Sequence, residues 1–134
     1  MKKNNLIQTS KRIIIKIGSA LLIDKEKGTL KKKWIETLAI DIFNLIRLNK
    51  EVIIVSSGSI ALGKKQLSLK NNLTLDEKQA AAATGQISLA HAWKEVMLEH
   101  GLNVAQILLA PDDTETRRKH LNARATLIKL LELG

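Results

Sequence analysis

The residues with chemical potential in this chain sit where two short apolar runs break into small residues. Ile53-Ile54-Val55 runs into Ser56-Ser57-Gly58-Ser59, and the helix-compatible stretch Ile60-Ala61-Leu62-Gly63 follows. A β-branched run, a tight turn and a helix start leave the first helical amides without intrahelical acceptors, so they point outward and suit an anion. Ser57 and Ser59 add hydroxyl donors, and Gly58 lets a ligand approach the backbone closely. The same residues would equally serve an ordinary strand-to-helix turn whose serines cap the helix. The second run, Arg12-Ile13-Ile14-Ile15-Lys16-Ile17, is interrupted by Lys16 and released at Gly18-Ser19. A lysine buried among isoleucines is costly without a partner. At the carboxyl end of a strand its ammonium can reach the crevice where open α/β sheets bind ligands. A wet or edge face would accommodate it as well.

Both runs need a sheet and covering helices to hold them. Residues 1–11 read as a flexible polar leader, and the first strand gives way to a loop over 24–28. Over 31–49, Trp34, Leu38, Ile42 and Leu45 recur at helical spacing, with Ile35, Ala39 and Ile46 widening the stripe. A strand is expected over 52–55, a short helix over 60–66 and a polar connection over 69–72. Thr74-Leu75-Asp76-Glu77 has capping-box spacing and should open a helix to about residue 100, stopped by Gly101. Ala80 to Ala83 and Gly85 give that helix a smooth face, while Leu89, Trp93 and Val96 continue an apolar stripe. Gln79 and Gln86 share a face and are expected to tie the helix to adjacent loops, with substrate contact the alternative. A third strand is expected over 104–110, ended by Pro111. A last helix should then run over 114–132, capped by Thr114, with Leu121, Ile128 and Leu131 inward. Arg117, Arg118 and Arg124 on it read as solvated charges or subunit contacts.

Strands separated by helical crossovers imply α/β architecture, with a mainly parallel sheet and helices on both faces. The chain of 134 residues is long enough for one domain, placed at 12–134, and its composition, 45% hydrophobic and 26% charged, is that of a globular protein. Cysteine is absent, which excludes disulfides and thiolate metal sites. No apolar run approaches a membrane span, and the basic start lacks the apolar stretch of a signal peptide, so no membrane role and a cytoplasmic location are expected. A net charge of +9 invites a nucleic-acid reading, but the lysines are scattered and aromatics make up only 2%, leaving no stacking platform. Lysine-rich solvated helix faces account for the charge, and no nucleic-acid partner is expected. Asp112, Asp113, His91, His100 and His120 show no ligand spacing, so no metal is assigned to them.

Taken together, Val55-Ser56-Ser57-Gly58-Ser59-Ile60-Ala61-Leu62-Gly63, Lys78-Gln79-Ala80-Ala81-Ala82-Ala83-Thr84-Gly85-Gln86 and Leu121-Asn122-Ala123-Arg124-Ala125-Thr126-Leu127 resemble the amino-acid kinase family. Within that family the resemblance is to the members that phosphorylate L-glutamate. It implies ATP-dependent transfer to the side-chain carboxylate, giving an acyl phosphate at the entry to proline biosynthesis. Lys16 would then contact the transferring phosphate as the catalytic cation, with Gly18 and Ser19 adding donors to the nucleotide. Ser57, Gly58 and Ser59 would hold glutamate. Mg²⁺ is expected with ATP, though the resemblance carries no ligand for it onto these residues. Ser59 stands where the family usually shows alanine, and Ala110-Pro111 replaces a more typical Thr-Arg pair. The resemblance also implies an N-terminal portion, truncated before the sheet is complete and inactive alone. A homo-oligomer is expected if the domain is completed, and a separate C-terminal half is a possible partner. The alternatives are another member of the family, acting on a different acceptor, and a non-catalytic interaction module.

Overall fold

The computed structural model describes residues 6–24 and 26–134. Of the expected leader, residues 1–5 lie outside the described residues, as does Lys25 in the expected loop. In chain order the elements are α1 (Leu6–Thr9), β1 (Arg12–Ile17), α2 (Ser19–Leu22), β2 (Ile23–Asp24), β3 (Thr29–Leu30) and α3 (Lys32–Arg47). Then come β4 (Glu51–Ser56), α4 (Ser59–Gln66), α5 (Leu75–Leu98), α6 (Pro111–Glu115) and α7 (Arg117–Leu133). The architecture is α/β, as expected.

β1 and β4 pair in parallel, with Ile13 opposite Val52, Ile15 opposite Ile54 and Ile17 opposite Ser56. Side chains alternate across a strand, so these six share one face. That face meets the core, in which Ile17, Leu22, Ile35, Ala39, Ile42, Leu62, Leu89, Trp93 and Val96 are buried. Parallel pairing requires a crossover, which α3 supplies. Its most buried residues are Ile35, Ala39 and Ile42, one helical stripe, while Ile46 at its margin is partly exposed. The opposite sheet face carries Arg12, Ile14, Lys16, Ile53 and Val55. Ile14 is 63% exposed and Val55 47%. α7 approaches this face over Arg12 and Ile53, leaving a cavity of about 250 Å³ lined also by Ala123, Leu127 and Ile128.

The capping box forms as its spacing predicts. The Thr74 hydroxyl accepts from the Glu77 N–H, and the Glu77 carboxylate accepts from the Thr74 N–H at 2.9 Å. Gly101 follows α5 with φ +70°, the left-handed region glycine tolerates. α4 and α5 are in backbone contact. A Cβ on Gly63 would lie 1.8 Å from the Ala81 carbonyl oxygen, and one on Gly85 would lie 1.9 Å from that of Ser59. Ala81 and Gly85 of the smooth face are therefore covered by α4, while Ala80 and Ala83 stay exposed.

Expectations for residues 104–132 need correction. Residues 104–110 form no strand among the described residues, although their composition favours one. A strand is defined by a neighbour's ladder, and β1 and β4 hydrogen-bond only to each other here, so the segment runs past without pairing. Pro111 accordingly opens α6 at its first position, where its missing N–H is harmless, and does not end a strand. The single helix expected over 114–132 is two helices, divided at Thr116, whose φ −82° and ψ 117° are extended. Thr114 lies inside α6 and bonds the Pro111 carbonyl at 2.7 Å. Leu121, expected inward, is half exposed, whereas Ile128 and Leu131 are half-buried.

Candidate functional site

Both small-residue turns leave the same end of the parallel pair. Ile17 and Ser56 are the last partners in the register, and the ladder closes with the Ser57 N–H donating to the Ile17 carbonyl at 3.1 Å. Gly58 has φ +118°, and a Cβ there would meet Ile23 at 3.3 Å and the Ser19 Cβ at 3.7 Å. Backbone conformation and crowding thus both select glycine, and they seat the second turn against the first.

Local sequence explains each turn. After Gly18 the chain makes one short helical turn, anchored by the fully buried Leu22. The Lys31 ammonium donates to the Ala20 carbonyl at 3.0 Å, and the Lys31 N–H donates to the Leu22 carbonyl at 2.8 Å. Gly58 is the N-cap of α4, which receives no side-chain cap, so the serines do not act as helix caps. The first amide to bond within α4 is Leu62, to Gly58 at 3.1 Å. The N–H groups of Gly58, Ser59, Ile60 and Ala61 therefore have no acceptor among the described residues, and neither hydroxyl of Ser57 or Ser59 makes a hydrogen bond there. These groups are chemically equipped to receive carboxylate or phosphate oxygens.

Lys16 is one residue from the carboxyl end of β1, on the open sheet face and exposed. It is not buried among the isoleucines, and it makes no ion pair among the described residues. The amino end of the same strand pair differs. There Glu51 receives Lys11 at 3.0 Å and Arg12 at 2.7 Å, and these two cations, Lys11 foremost, hold its carboxyl below the usual range. Acidic charge is matched at one end of the pair, and an uncompensated cation stands near the other.

A cavity of about 580 Å³ lies beside the first turn, between the β2–β3 hairpin and α4. Asp24, Lys64 and Lys65 line it, and Ser19 is the candidate residue that does. Lys16, Gly18 and the residues 57–59 do not. Asp24 accepts the N–H groups of Glu26 and Lys27 at 3.0 and 3.1 Å, and the Lys27 bond leads in holding its carboxyl low. Gln79 and Gln86 make no side-chain hydrogen bond among the described residues; Gln66 of α4 instead donates to Ser88 of α5 at 2.6 Å. Sequence reasoning passed over a bond from the Trp93 indole to the Ser56 hydroxyl at 3.3 Å. Its only signal was a tryptophan on an apolar helix stripe, since an indole N–H in a core needs an acceptor.

The amino acid kinase family matches residues 11–134. The chain belongs to that family. Among relatives within it, the chain is 53% identical over 128 residues to the glutamate 5-kinase of Paramagnetospirillum magneticum, covering 96% of this chain and 35% of that protein. It is 55% identical over 122 residues to the glutamate 5-kinase of Rhodospirillum rubrum, covering 90% and 32%. Similarity to the glutamate 5-kinase of Gluconobacter oxydans reaches 52% over 126 residues, covering 93% and 33%. The chain spans about a third of the length of the curated relatives it matches. Among the described residues, no helix is long and apolar enough to cross a membrane. No group of three or more His, Cys, Asp or Glu could hold a metal ion there.

Proposed function

We propose that the chain supplies the phosphate- and glutamate-facing turns of a kinase that phosphorylates the side-chain carboxylate of L-glutamate with ATP. The observation carrying this reading is the convergence of Gly18-Ser19 and Ser57-Gly58-Ser59 at one end of a parallel pair, with Lys16, which makes no ion pair among the described residues, on the adjoining open face. Relatives named glutamate 5-kinase, at about half identity over nearly the whole chain, support the choice of acceptor. In the reaction a glutamate carboxylate oxygen forms a bond to the γ-phosphorus, and the bond from that phosphorus to the β,γ-bridging oxygen breaks. ADP leaves and an acyl phosphate remains. Such transfer needs reactants held in line and spreading negative charge neutralised.

Lys16 offers a mobile ammonium to the transferring phosphoryl group, and Gly18 and Ser19 line its approach. The open amides of Gly58 and Ser59 and the two hydroxyls hold the carboxylate that receives it. Lys16 fits the phosphate portion of ATP, while the described residues contribute no ligand set for Mg²⁺, which when bound with the nucleotide neutralises phosphate charge. A cytoplasmic setting, in which both substrates occur, and a role at the entry to proline biosynthesis go with this reading.

The test is a substrate screen on the polypeptide at its full natural length, with ATP and Mg²⁺, trapping acyl phosphate as hydroxamate. Glutamate should be phosphorylated in preference to aspartate, carbamate and nucleoside monophosphates, scored by ADP release where no hydroxamate forms. Preference for any of these would overturn the assignment. A second reading, an interaction module, draws on exposed apolar groups around the unpaired segment, with Leu108 73% exposed and Ile14 on the open sheet face. It expects self-association of the 134-residue chain; a monomer at high concentration by sedimentation would remove it.

A further inference from the structure

The strand end that carries residues 57–59 is tied to α5 by one polar link. Trp93 is 5% exposed, and its indole Nε1–H donates to the Ser56 hydroxyl at 3.3 Å. Ser56 is the last residue of β4. Its hydroxyl passes its own proton toward the Ser57 carbonyl in a long contact of 3.5 Å. A trans peptide points its C=O and N–H in opposite directions, and no described peptide is cis. Drawing the Ser57 carbonyl toward Ser56 therefore turns the Gly58 N–H the other way. The Ser57 N–H is already committed to Ile17, so Gly58 carries the first amide of the turn that no described residue accepts. α5 meets the same turn again at Gly85, whose missing side chain admits the Ser59 carbonyl. Gly85 and Trp93 stand two helical turns apart on one face of α5, one touching the turn after Gly58 and the other before it.

We propose that Trp93, acting through Ser56, is a positioning residue that aims the Gly58 N–H at the anionic group held by the turn. This rests on the reading of residues 57–59 as the substrate-holding turn. An indole donor in an apolar core must find an acceptor in any case. A purely structural role would thus predict loss of stability on breaking the link, with the turn unmoved.

The variants that separate these are Trp93→Phe, which keeps an aromatic ring without the N–H, and Ser56→Ala, which leaves the indole packed. Their combination and Ser56→Thr, which retains a hydroxyl, complete the set. In the polypeptide at its full natural length, each single change should raise the glutamate KM about five- to tenfold, the size of one lost hydrogen bond. kcat should stay within about twofold and the ATP KM should not move. The double variant should be no worse than the singles, because both cut one link, and Ser56→Thr should restore the wild-type KM. Additive losses, or lowered melting temperatures with an unchanged glutamate KM, would overturn the proposal. A second measurement stands apart from catalysis. In ¹⁵N–¹H spectra of the 134-residue chain, the Gly58 amide should shift alike in Trp93→Phe and Ser56→Ala. A Gly58 resonance unmoved in either variant refutes the positioning role whatever the enzyme does. Wild-type protein inert toward glutamate would refute the functional reading, and the spectral result would still decide this one.

Discussion

Gly85→Ala isolates the close approach on which the second turn is seated. A Cβ at this position would lie 1.9 Å from the Ser59 carbonyl oxygen and 2.5 Å from the Gly63 nitrogen. Ordinary Cβ contacts begin near 3.4 Å, so α4 and α5 would have to part by about 1.5 Å. Both obstructing atoms are backbone, and no rotamer change relieves them. Overpacking of this kind costs about 1–3 kcal/mol, and rigid obstruction places it toward the upper end. Alanine returns about 1 kcal/mol through its better helix propensity. The net expectation is a loss of about 1–2 kcal/mol, read as a fall of about 1 M in the urea midpoint at 25 °C with an unchanged slope. Ala80→Gly, at an exposed position of α5, calibrates the propensity term and should destabilise by up to about 1 kcal/mol. If Gly85→Ala proves as stable as wild type or more so, propensity has won, and backbone contact between the helices is refuted. Because the obstructed oxygen belongs to Ser59, the glutamate KM of the full-length polypeptide should rise in the same variant.

On the proposed function, in which the ammonium acts where charge develops, Lys16→Ala should lower kcat on the order of 10²-fold with a smaller change in glutamate KM; a large KM rise at constant kcat in steady-state assays would contradict that role. Ser57→Ala should do the reverse, raising glutamate KM about tenfold with kcat nearly unchanged, because it removes the ground-state hydrogen bond that the proposed function assigns to this hydroxyl. Thr74→Ala should reduce stability by about 1 kcal/mol in urea titrations, by deleting one arm of the α5 capping box. Acid should weaken the fold through Glu51, whose carboxyl is held low in the folded state by Lys11 and Arg12. A lowered folded value means the contribution is complete above the ordinary carboxylate range and is lost as pH falls through the folded value. The urea midpoint should therefore drop below about pH 4, and Glu51→Gln should flatten part of that drop.

The positions of the two turns could be read from the chain because every instruction for them is local. Apolar runs of β-branched residues end in glycine and serine, and Gly58 supplies the φ of +118° that its neighbours could not adopt without strain. The start of α5 is equally local, since Thr74 and Glu77 satisfy each other's backbone across three residues. The buried stripe of α3 follows from helical spacing alone.

What no local pattern could decide was which groups become partners across the fold. Residues 104–110 have the composition of a strand, but strand identity is conferred by a neighbour, and β1 and β4 here pair only with each other. Serines in the Ser57 turn could have capped α4, but the left-handed Gly58 takes the N-cap position without any side-chain bond. The lysine among isoleucines could have been buried or wet; the register opposite Val55 places it on the open face. The bond from Trp93 to Ser56 joins residues 37 apart in the chain, and only the packing of α5 against β4 brings them within reach. Sequence by itself determined the two strand-end turns, the capping box of α5 and the buried stripe of α3, because those depend on φ, ψ and side-chain spacing over a few residues. Tertiary structure decided the sheet partners, the exposure of Lys16 and the support of Ser56, because those depend on which surfaces exclude water together.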